Sequence, residues 1–352
     1  MLRQELKKIF LKRYFLVILV VVLLAEGVMC ISQSRNTFNS YFHKETYEHY
    51  INAYGGSLTE EKKEMIELNL TALYDETVLE DSTLPKAQLK QVETMMAASV
   101  RGRLGVEQFR EVYDYASAKD GRDIIHVNAW NYLFGTERMD FFCILAVILF
   151  TVLTFIAENE TNITLMKYAT PKGKKQLYRM DLLLGILFAA LLSLAVSALR
   201  FGVGVAQFSI HDFTAPLESL PLFENTRYSV TLLGGYLLIA CIKALGLAAF
   251  TALCFLFGNL FASSVTVVMG SLLAVLLPQY VLNAPLIYYI PPVSLLLGNG
   301  LFFGTVELEI ENNLPLVVSV SSGVAALPLS LLGASLLLEA AVCITRKRRG
   351  TQ

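Results

Sequence analysis

Three charged side chains lie within segments that are otherwise almost entirely apolar: Glu26, Lys243 and Glu339. A charge near the centre of a membrane costs about 2.5–3.5 kcal/mol on insertion scales, so it faces protein or a water-filled path rather than lipid. Two interpretations stay open for these residues. In the first interpretation they pair within the membrane, and Glu26 is also near enough to the outer end of its segment to reach interfacial water. In the second interpretation they line a substrate route. We expect Lys243 to have a buried partner.

The sequence lacks the patterns of the common hydrolytic and nucleotide-binding sites. The nearest approach to a phosphate-binding loop, Pro171–Lys175, lacks the upstream glycine and the following Ser or Thr. HExxH, GxSxG and a pair of carboxylates placed for hydrolysis are missing as well. We therefore expect a chain that is not an enzyme, with no catalytic residue and no cofactor of its own.

The histidines and cysteines do not predict a metal site. His43 and His49 are six residues apart rather than at the i, i+4 spacing of helical metal pairs, and His126 is distant in the sequence. All five cysteines lie in or beside apolar segments, so we expect neither a disulfide nor a bound metal. The sequon that begins at Asn69 is interpreted as a chance match.

The composition is that of a membrane protein. Of the 352 residues, 55% are hydrophobic and only 17% are charged, whereas charged residues make up about a quarter of soluble domains. We expect an all-α membrane protein. Its six transmembrane helices are predicted at residues 14–31, 139–156, 182–200, 230–257, 265–288 and 320–345.

The remaining segments follow from these six spans. We expect an amphipathic N-terminal helix (1–13), an extracellular helical domain (32–138), a cytoplasmic loop (157–181) and an extracellular loop (201–229). We also expect a re-entrant or extracellular segment (289–319) with short helices broken by Pro and Gly, and a cytoplasmic tail (346–352).

Basic residues set the orientation. They collect in residues 1–13, in the loop 157–181 and in the tail 346–352, while acidic residues collect in the long hydrophilic stretch after the first span. Because basic short loops stay in the cytoplasm, both termini are predicted there, in a multi-pass protein of the cell membrane. The first apolar run is long and follows five basic residues, so we expect it to remain as an anchor.

The predicted extracellular domain has helical spacing of its apolar residues throughout. An aromatic stripe runs to Tyr54 and ends at Gly55 and Gly56. Ser57 and Glu60 have the spacing of a capping box and predict the start of the next helix.

The loop 157–181 is longer and more structured than orientation alone requires. Acidic residues open it, Thr170 and Pro171 separate two predicted short helices, and basic residues follow from Lys174 to Arg179. Together with the six spans, the amphipathic N-terminus and the broken apolar segment before the last span, this loop resembles that of type-2 ABC exporter permeases. The helical domain that contains GGSLTEEKKEMIE (55–67) and ends in NAWNYLFG (128–135) resembles a bacterial subgroup of that family.

The resemblance implies a permease subunit that works with two ABC ATPase subunits and a second permease chain, as a homo- or heterodimer, with ATP bound by the partner. It also implies that the loop docks on the ATPase. The implied docking residues are Glu158, Glu160, Ile163, Met166, Lys167, Tyr168, Thr170 and Pro171.

We therefore expect ATP-driven export of a hydrophobic or amphipathic substrate, with the lipid membrane as surroundings and no nucleic-acid partner. The alternative is a sensor or mechanical relay that transports nothing and whose extracellular domain binds a ligand or a cell-wall component.

Overall fold

A computed structural model describes most of the chain in separate stretches. The described residues are 13–35, 41–72, 102–134, 140–156, 173–224, 226, 228–261, 263–281, 293–298, 306–310, 314–318 and 333. They are mostly helical, which confirms the helical character expected from the sequence.

The helices are numbered here in chain order. They are α1 (Arg13–Arg35), α2 (Tyr41–Tyr54), α3 (Glu60–Ala72), α4 (Arg103–Ser117), α5 (Val127–Phe134), α6 (Phe141–Thr151), α7 (Gly173–Phe208), α8 (Leu232–Leu260), α9 (Ser264–Val281) and α10 (Val293–Leu297). A π-helical turn, Val152–Ile156, continues α6, and two 3-10 turns, Leu217–Ser219 and Pro221–Phe223, precede α8.

The chain divides into two compact units. The first comprises residues 1–29, 136–200 and 237–352, and the second comprises residues 30–135 and 201–236. Both units are therefore assembled from segments that are distant in the sequence.

The helices of the first unit pack around an apolar core. Members of this core from α1, α6, α7, α8, α9 and α10 are Val22, Ile144, Leu192, Phe250, Val275 and Leu296. Gly185 lies where α7 meets α8, because a Cβ atom there would be 3.0 Å from the side chains of Thr251 and Phe255. The two helices thus approach closely at a residue without a side chain.

The outer faces of this unit are apolar as well. On α9 the exposed residues Val265, Met269, Leu273 and Leu277 are four positions apart, so they form one stripe along the helix. Exposed apolar residues on α1 and α7 are Val17, Val20, Leu24, Val28, Leu183, Leu187 and Leu191. Apolar faces of this extent are typical of surfaces that meet lipid or another protein.

Among the described residues, two helical segments are long and apolar enough to cross a membrane, Arg179–Phe208 and Leu232–Leu260. Phe141–Thr154 and Ser264–Pro278 are shorter apolar helices. This finding supports association with a membrane, while the arrangement of six spans stays a prediction.

Helix α7 extends beyond the predicted span 182–200 at both ends. It has 36 residues and runs from Gly173 to Phe208, through the end of the predicted loop 157–181 and into the predicted loop 201–229. At about 54 Å it is longer than the hydrocarbon core of a bilayer, which is about 30 Å thick. The predicted spans end at or beside polar residues, but a helix can continue beyond the part of it that lies in a membrane. For the same reason α1 continues past residue 31 to Arg35.

The second unit has its own core, mainly between α2 and α4. Its largest buried side chains include Tyr50, Tyr54, Phe109 and Ile66. A short antiparallel pair, β1 (Gly56–Ser57) with β2 (Asp123–Ile124), joins distant parts of the unit.

The capping box predicted at Ser57 is wrong. Ser57 pairs with Asp123 in β1–β2, and Thr59 precedes α3 instead. Its hydroxyl accepts the backbone N–H of Lys62 at 3.4 Å, and its carbonyl accepts that of Lys63 at 2.9 Å. The strand pairing engages Ser57, so the hydroxyl closest to the helix acts as the cap.

An antiparallel hairpin, β3 (Val306–Ile310) with β4 (Leu314–Val318), lies in the segment predicted as re-entrant or extracellular. The all-α expectation therefore needs a local correction. The sequence of β3, Val-Glu-Leu-Glu-Ile, alternates apolar and acidic residues, which is the period of a strand.

Asn69 is fully buried in the second unit and joins two tyrosines. Its side-chain oxygen accepts from the hydroxyl of Tyr50 at 3.2 Å, and its amide nitrogen donates to the hydroxyl of Tyr54 at 3.0 Å. Burial raises the pKa of Tyr54, so this hydroxyl stays neutral. The structure thus gives Asn69 a packing role.

We predict that Asn69→Ala lowers the free energy of unfolding of the second unit by roughly 1–3 kcal/mol, because both hydrogen bonds are lost in a buried place. Denaturant unfolding of the full chain, followed by a probe in this unit, measures the change. Thr71→Ala removes an exposed hydroxyl two residues away and is the control, expected within about 0.5 kcal/mol of the original chain. Equal stability of the two variants would contradict the role assigned to Asn69.

Candidate functional site: a buried charge cluster

The first unit brings together four chargeable residues from four helical segments. Glu26 lies on α1, Asp140 immediately precedes α6, Arg200 lies on α7 and Lys243 lies on α8. These residues are called the charge cluster below. The cluster contains two acidic and two basic residues, so its formal charge is zero with all four ionised.

The carboxylate of Asp140 forms ion pairs with both cations of the cluster, Arg200 and Lys243. Its Oδ1 atom is 3.0 Å from Nη2 of Arg200, and its Oδ2 atom is 3.6 Å from Nζ of Lys243. The side chains of Asp140 and Lys243 are only 11% and 5% exposed. Because charges this far from water are costly unless they are paired, the two contacts are needed to keep Lys243 and Arg200 inside the unit.

The position of Asp140 in the chain explains its orientation. It is the N-cap residue of α6, and its carbonyl accepts the backbone N–H of Ile144 at 3.1 Å. An aspartate at this position commonly caps the helix with its carboxylate. Here the carboxylate makes no capping hydrogen bond and instead faces the two cations. The start of α6 thereby supplies an anion to α7 and α8.

Glu26 completes the charge balance without a hydrogen bond. It is 3% exposed and interacts electrostatically with Asp140, Arg200 and Lys243. Within the described part of the chain its carboxylate has neither a hydrogen bond nor an ion pair shorter than 4 Å. Without Glu26, one carboxylate would face two buried cations, so its contribution is long-range neutralisation rather than a specific bond.

The short helix α10 lies against the part of α8 that carries Lys243. A Cβ atom on Gly246 would be 2.8 Å from backbone atoms of Leu295 and Leu296, so the backbones of α8 and α10 nearly touch. Gly298, which follows α10 with a φ of +66°, would place a Cβ atom 3.1 Å from Cγ of Lys243. Every residue of α10 is buried.

The predicted site residues have different outcomes. Lys243 has the buried partner that the sequence requires, and the partner is Asp140. Glu26 lies in the same cluster, so the structure brings together two of the three predicted intramembrane charges. Glu339 lies outside the described residues. So do all eight predicted docking residues, Glu158, Glu160, Ile163, Met166, Lys167, Tyr168, Thr170 and Pro171.

Asp140 and Arg200 are not among the predicted site residues. Both lie at the end of an apolar run. A charge at such a position is expected in interfacial water, so it does not by itself indicate a functional site. A signal was nevertheless present: α6 starts and span 182–200 ends on the same predicted side of the membrane, so Asp140 and Arg200 have similar predicted depths.

Of the histidines, His126 has a structural role in the second unit. Its Nδ1 atom accepts the backbone N–H of Ala129 at 3.1 Å and thereby caps α5. Its backbone N–H donates to Oδ2 of Asp212 at 3.0 Å, and burial raises the pKa of Asp212. Among the described residues no group of three or more His, Cys, Asp or Glu side chains is placed to hold a metal ion.

Comparisons with protein-family models, with curated proteins and with solved structures find no match for this chain.

We predict that Asp140→Asn lowers the stability of the first unit by roughly 3–5 kcal/mol, because two buried cations lose their carboxylate. Combining it with Lys243→Gln should recover part of the loss, since one of those cations is then removed. Glu26→Gln should cost less than Asp140→Asn, because Glu26 makes no direct bond to the described residues. Thermal unfolding of the full chain in detergent measures these differences.

The control is Asp114→Asn, which breaks an exposed ion pair with Arg110 on α4 and should change stability by less than about 1 kcal/mol. If Asp140→Asn were as mild as this control, or if Lys243→Gln made it worse, Asp140 would not be the partner on which the cluster depends.

Proposed function

We propose that this chain is the membrane-spanning permease subunit of an ATP-driven ABC transporter that exports a hydrophobic or amphipathic substrate. The observation that carries the proposal is the charge cluster within a bundle of apolar helices. The apolar outer stripes of α1, α7 and α9 suit a lipid environment, and the sequence resemblance supplies the class of transporter.

A buried neutral cluster suits a bundle that must change its helix packing. Lipid tails are as apolar as leucine, so apolar contacts alone give little preference for one arrangement of membrane helices over another. Ion pairs between helices give such a preference, and they can be exchanged for others because Glu26 is a second carboxylate near Arg200 and Lys243. In this proposal, Glu26 and Lys243 belong to the moving part of the permease.

The energy comes from partner subunits, because the sequence contains no phosphate-binding loop. The docking loop, 157–181, leads directly into α7, which is helical from Gly173 through Arg200. These 28 residues correspond to about 42 Å of helix. A displacement of the loop by a bound ATPase would therefore be passed along one helix to Arg200, and from Arg200 to Asp140.

We predict that replacing Met166 and Tyr168 together with Asp abolishes the ATPase activity that co-purifies with the chain from its native membrane. Two added negative charges in the docking loop should prevent insertion of an apolar and aromatic surface into the ATPase. The measurement is ATP hydrolysis by the purified complex, together with efflux of an amphipathic dye from vesicles that contain it.

A matched control adds the same two charges elsewhere, through Thr71→Asp and Ser117→Asp at exposed positions of the second unit. This control should keep full activity. If no ATPase activity co-purifies with the original chain, the permease proposal is wrong and the sensor or relay interpretation is favoured. If the docking variant hydrolyses ATP and exports dye normally, the docking residues are wrong.

A further inference from the structure

The second unit contains an open cleft of about 400 Å³ next to its 3-10 turns. This volume lies within the range of small-ligand pockets, roughly 300–1,000 Å³. We call it the hydroxyl cleft, because five of its lining side chains carry a hydroxyl group. The polar side chains that line it are Thr214, Glu218, Thr226, Tyr228, Ser229 and Thr231.

Backbone hydrogen bonds hold the two walls of the hydroxyl cleft together. The N–H of Leu217 donates to the carbonyl of Val230, and the N–H of Leu232 donates to the carbonyl of Ala215, each at 2.8 Å. Residues 216 and 231 pair between these two bonds as an antiparallel bridge. The cleft is therefore formed by extended backbone with fixed register, in a unit that is otherwise mostly helical.

Tyr115 on α4, Lys119 just after α4 and the backbone of β2 brace the wall that carries Glu218. The Glu218 carboxylate is 2.6 Å from Nζ of Lys119, and its backbone carbonyl accepts from the hydroxyl of Tyr115 at 3.0 Å. The hydroxyl of Ser219 accepts the backbone N–H of Asp123 at 3.0 Å. A wall held at three points is organised before any ligand arrives, which reduces the entropic cost of binding.

The lining chemistry is polar but close to neutral. Glu218 is the one charged side chain among the described lining residues, and it is already paired with Lys119, so hydroxyl groups dominate the described lining. In the described part of the chain the hydroxyls of Thr214 and Ser229 have no hydrogen-bond partner. Thr226 accepts the backbone N–H of Tyr228, and its hydroxyl can still donate a hydrogen bond.

We infer that the hydroxyl cleft binds a neutral polyhydroxylated ligand, one or two sugar units of a glycan. Hydroxyl side chains donate and accept hydrogen bonds at once, as sugar hydroxyls do. The ring of Tyr228 adds an apolar surface of the kind that covers the C–H face of a sugar. The inference does not depend on the permease proposal, because it concerns residues of the second unit alone.

The test uses the full chain in lipid nanodiscs without glycolipid, since maltoside detergents would present a sugar to the cleft. Isothermal titration with three neutral disaccharides, diacetylchitobiose, cellobiose and maltose, should show saturable binding by at least one of them at millimolar concentration. Glucuronate and glucosamine, which carry a charge, should bind more weakly than that disaccharide.

Thr214→Val combined with Ser229→Ala should weaken this binding by about tenfold or more, because two hydroxyls lose their hydrogen bonds to the ligand. Thr71→Val combined with Ser117→Ala removes two exposed hydroxyls outside the cleft and should leave binding unchanged. Equal thermal unfolding of the two double variants excludes a folding defect.

The inference is overturned if none of the three disaccharides binds, if a charged sugar binds more tightly, or if the cleft variant binds as well as its control.

Discussion

The carboxylate of Asp140 is the group on which the arrangement of the first unit depends. It faces two cations, Arg200 and Lys243, that are almost completely removed from water. A lone buried charge is destabilised by several kcal/mol, and the attraction between opposite charges offsets that cost only at short distance. Moving α6 away from α7 or α8 would therefore leave a charge uncompensated. The ion pairs fix which ends of these helices lie together, and the apolar core then fills the space around them.

Close backbone approach complements the ion pairs. Gly185 lets α7 approach α8, and Gly246 lets α10 approach the opposite part of the same helix. Small residues at helix contacts are typical of bundles in lipid, where packing and polar contacts replace the hydrophobic drive for association. Lys243 lies three residues before Gly246 on α8 and packs against Gly298, so its position is determined by backbone geometry as well as by charge. Helix α8 is accordingly the element around which the first unit is assembled.

The sequence predicts the helical character of the chain and the need for a partner at Lys243, because apolar length and the cost of a buried charge are both local properties. It does not predict Asp140 as that partner, since the pairing depends on how four distant helices meet. The extension of α7 to Phe208 is missed for a different reason: the predicted span ends at the charged Arg200, yet the helix continues past it through Gly202 and Gly204, which are poor helix formers. The alternation of apolar and acidic residues in β3 is visible in the sequence, but the Pro and Gly residues before it favour short broken helices instead of a strand. At Ser57, a local capping pattern was overridden by pairing with Asp123.

The two units satisfy their buried polar groups in different ways, and the difference bears on what each can do. In the first unit the buried polar groups include two charged residues, Glu26 and Lys243. Glu26 makes no hydrogen bond or ion pair to the described residues, but it interacts electrostatically with the other three members of the cluster. A second carboxylate near two cations offers an alternative pairing of comparable charge, so the helices have more than one way to keep the cluster neutral. In the second unit the buried groups are mostly neutral and directional, as in the bonds of Asn69 to Tyr50 and Tyr54. Hydrogen bonds of this kind have one good geometry, and their loss is not compensated by a neighbour. The first unit is thus suited to rearrangement of its helices and the second to holding a fixed surface.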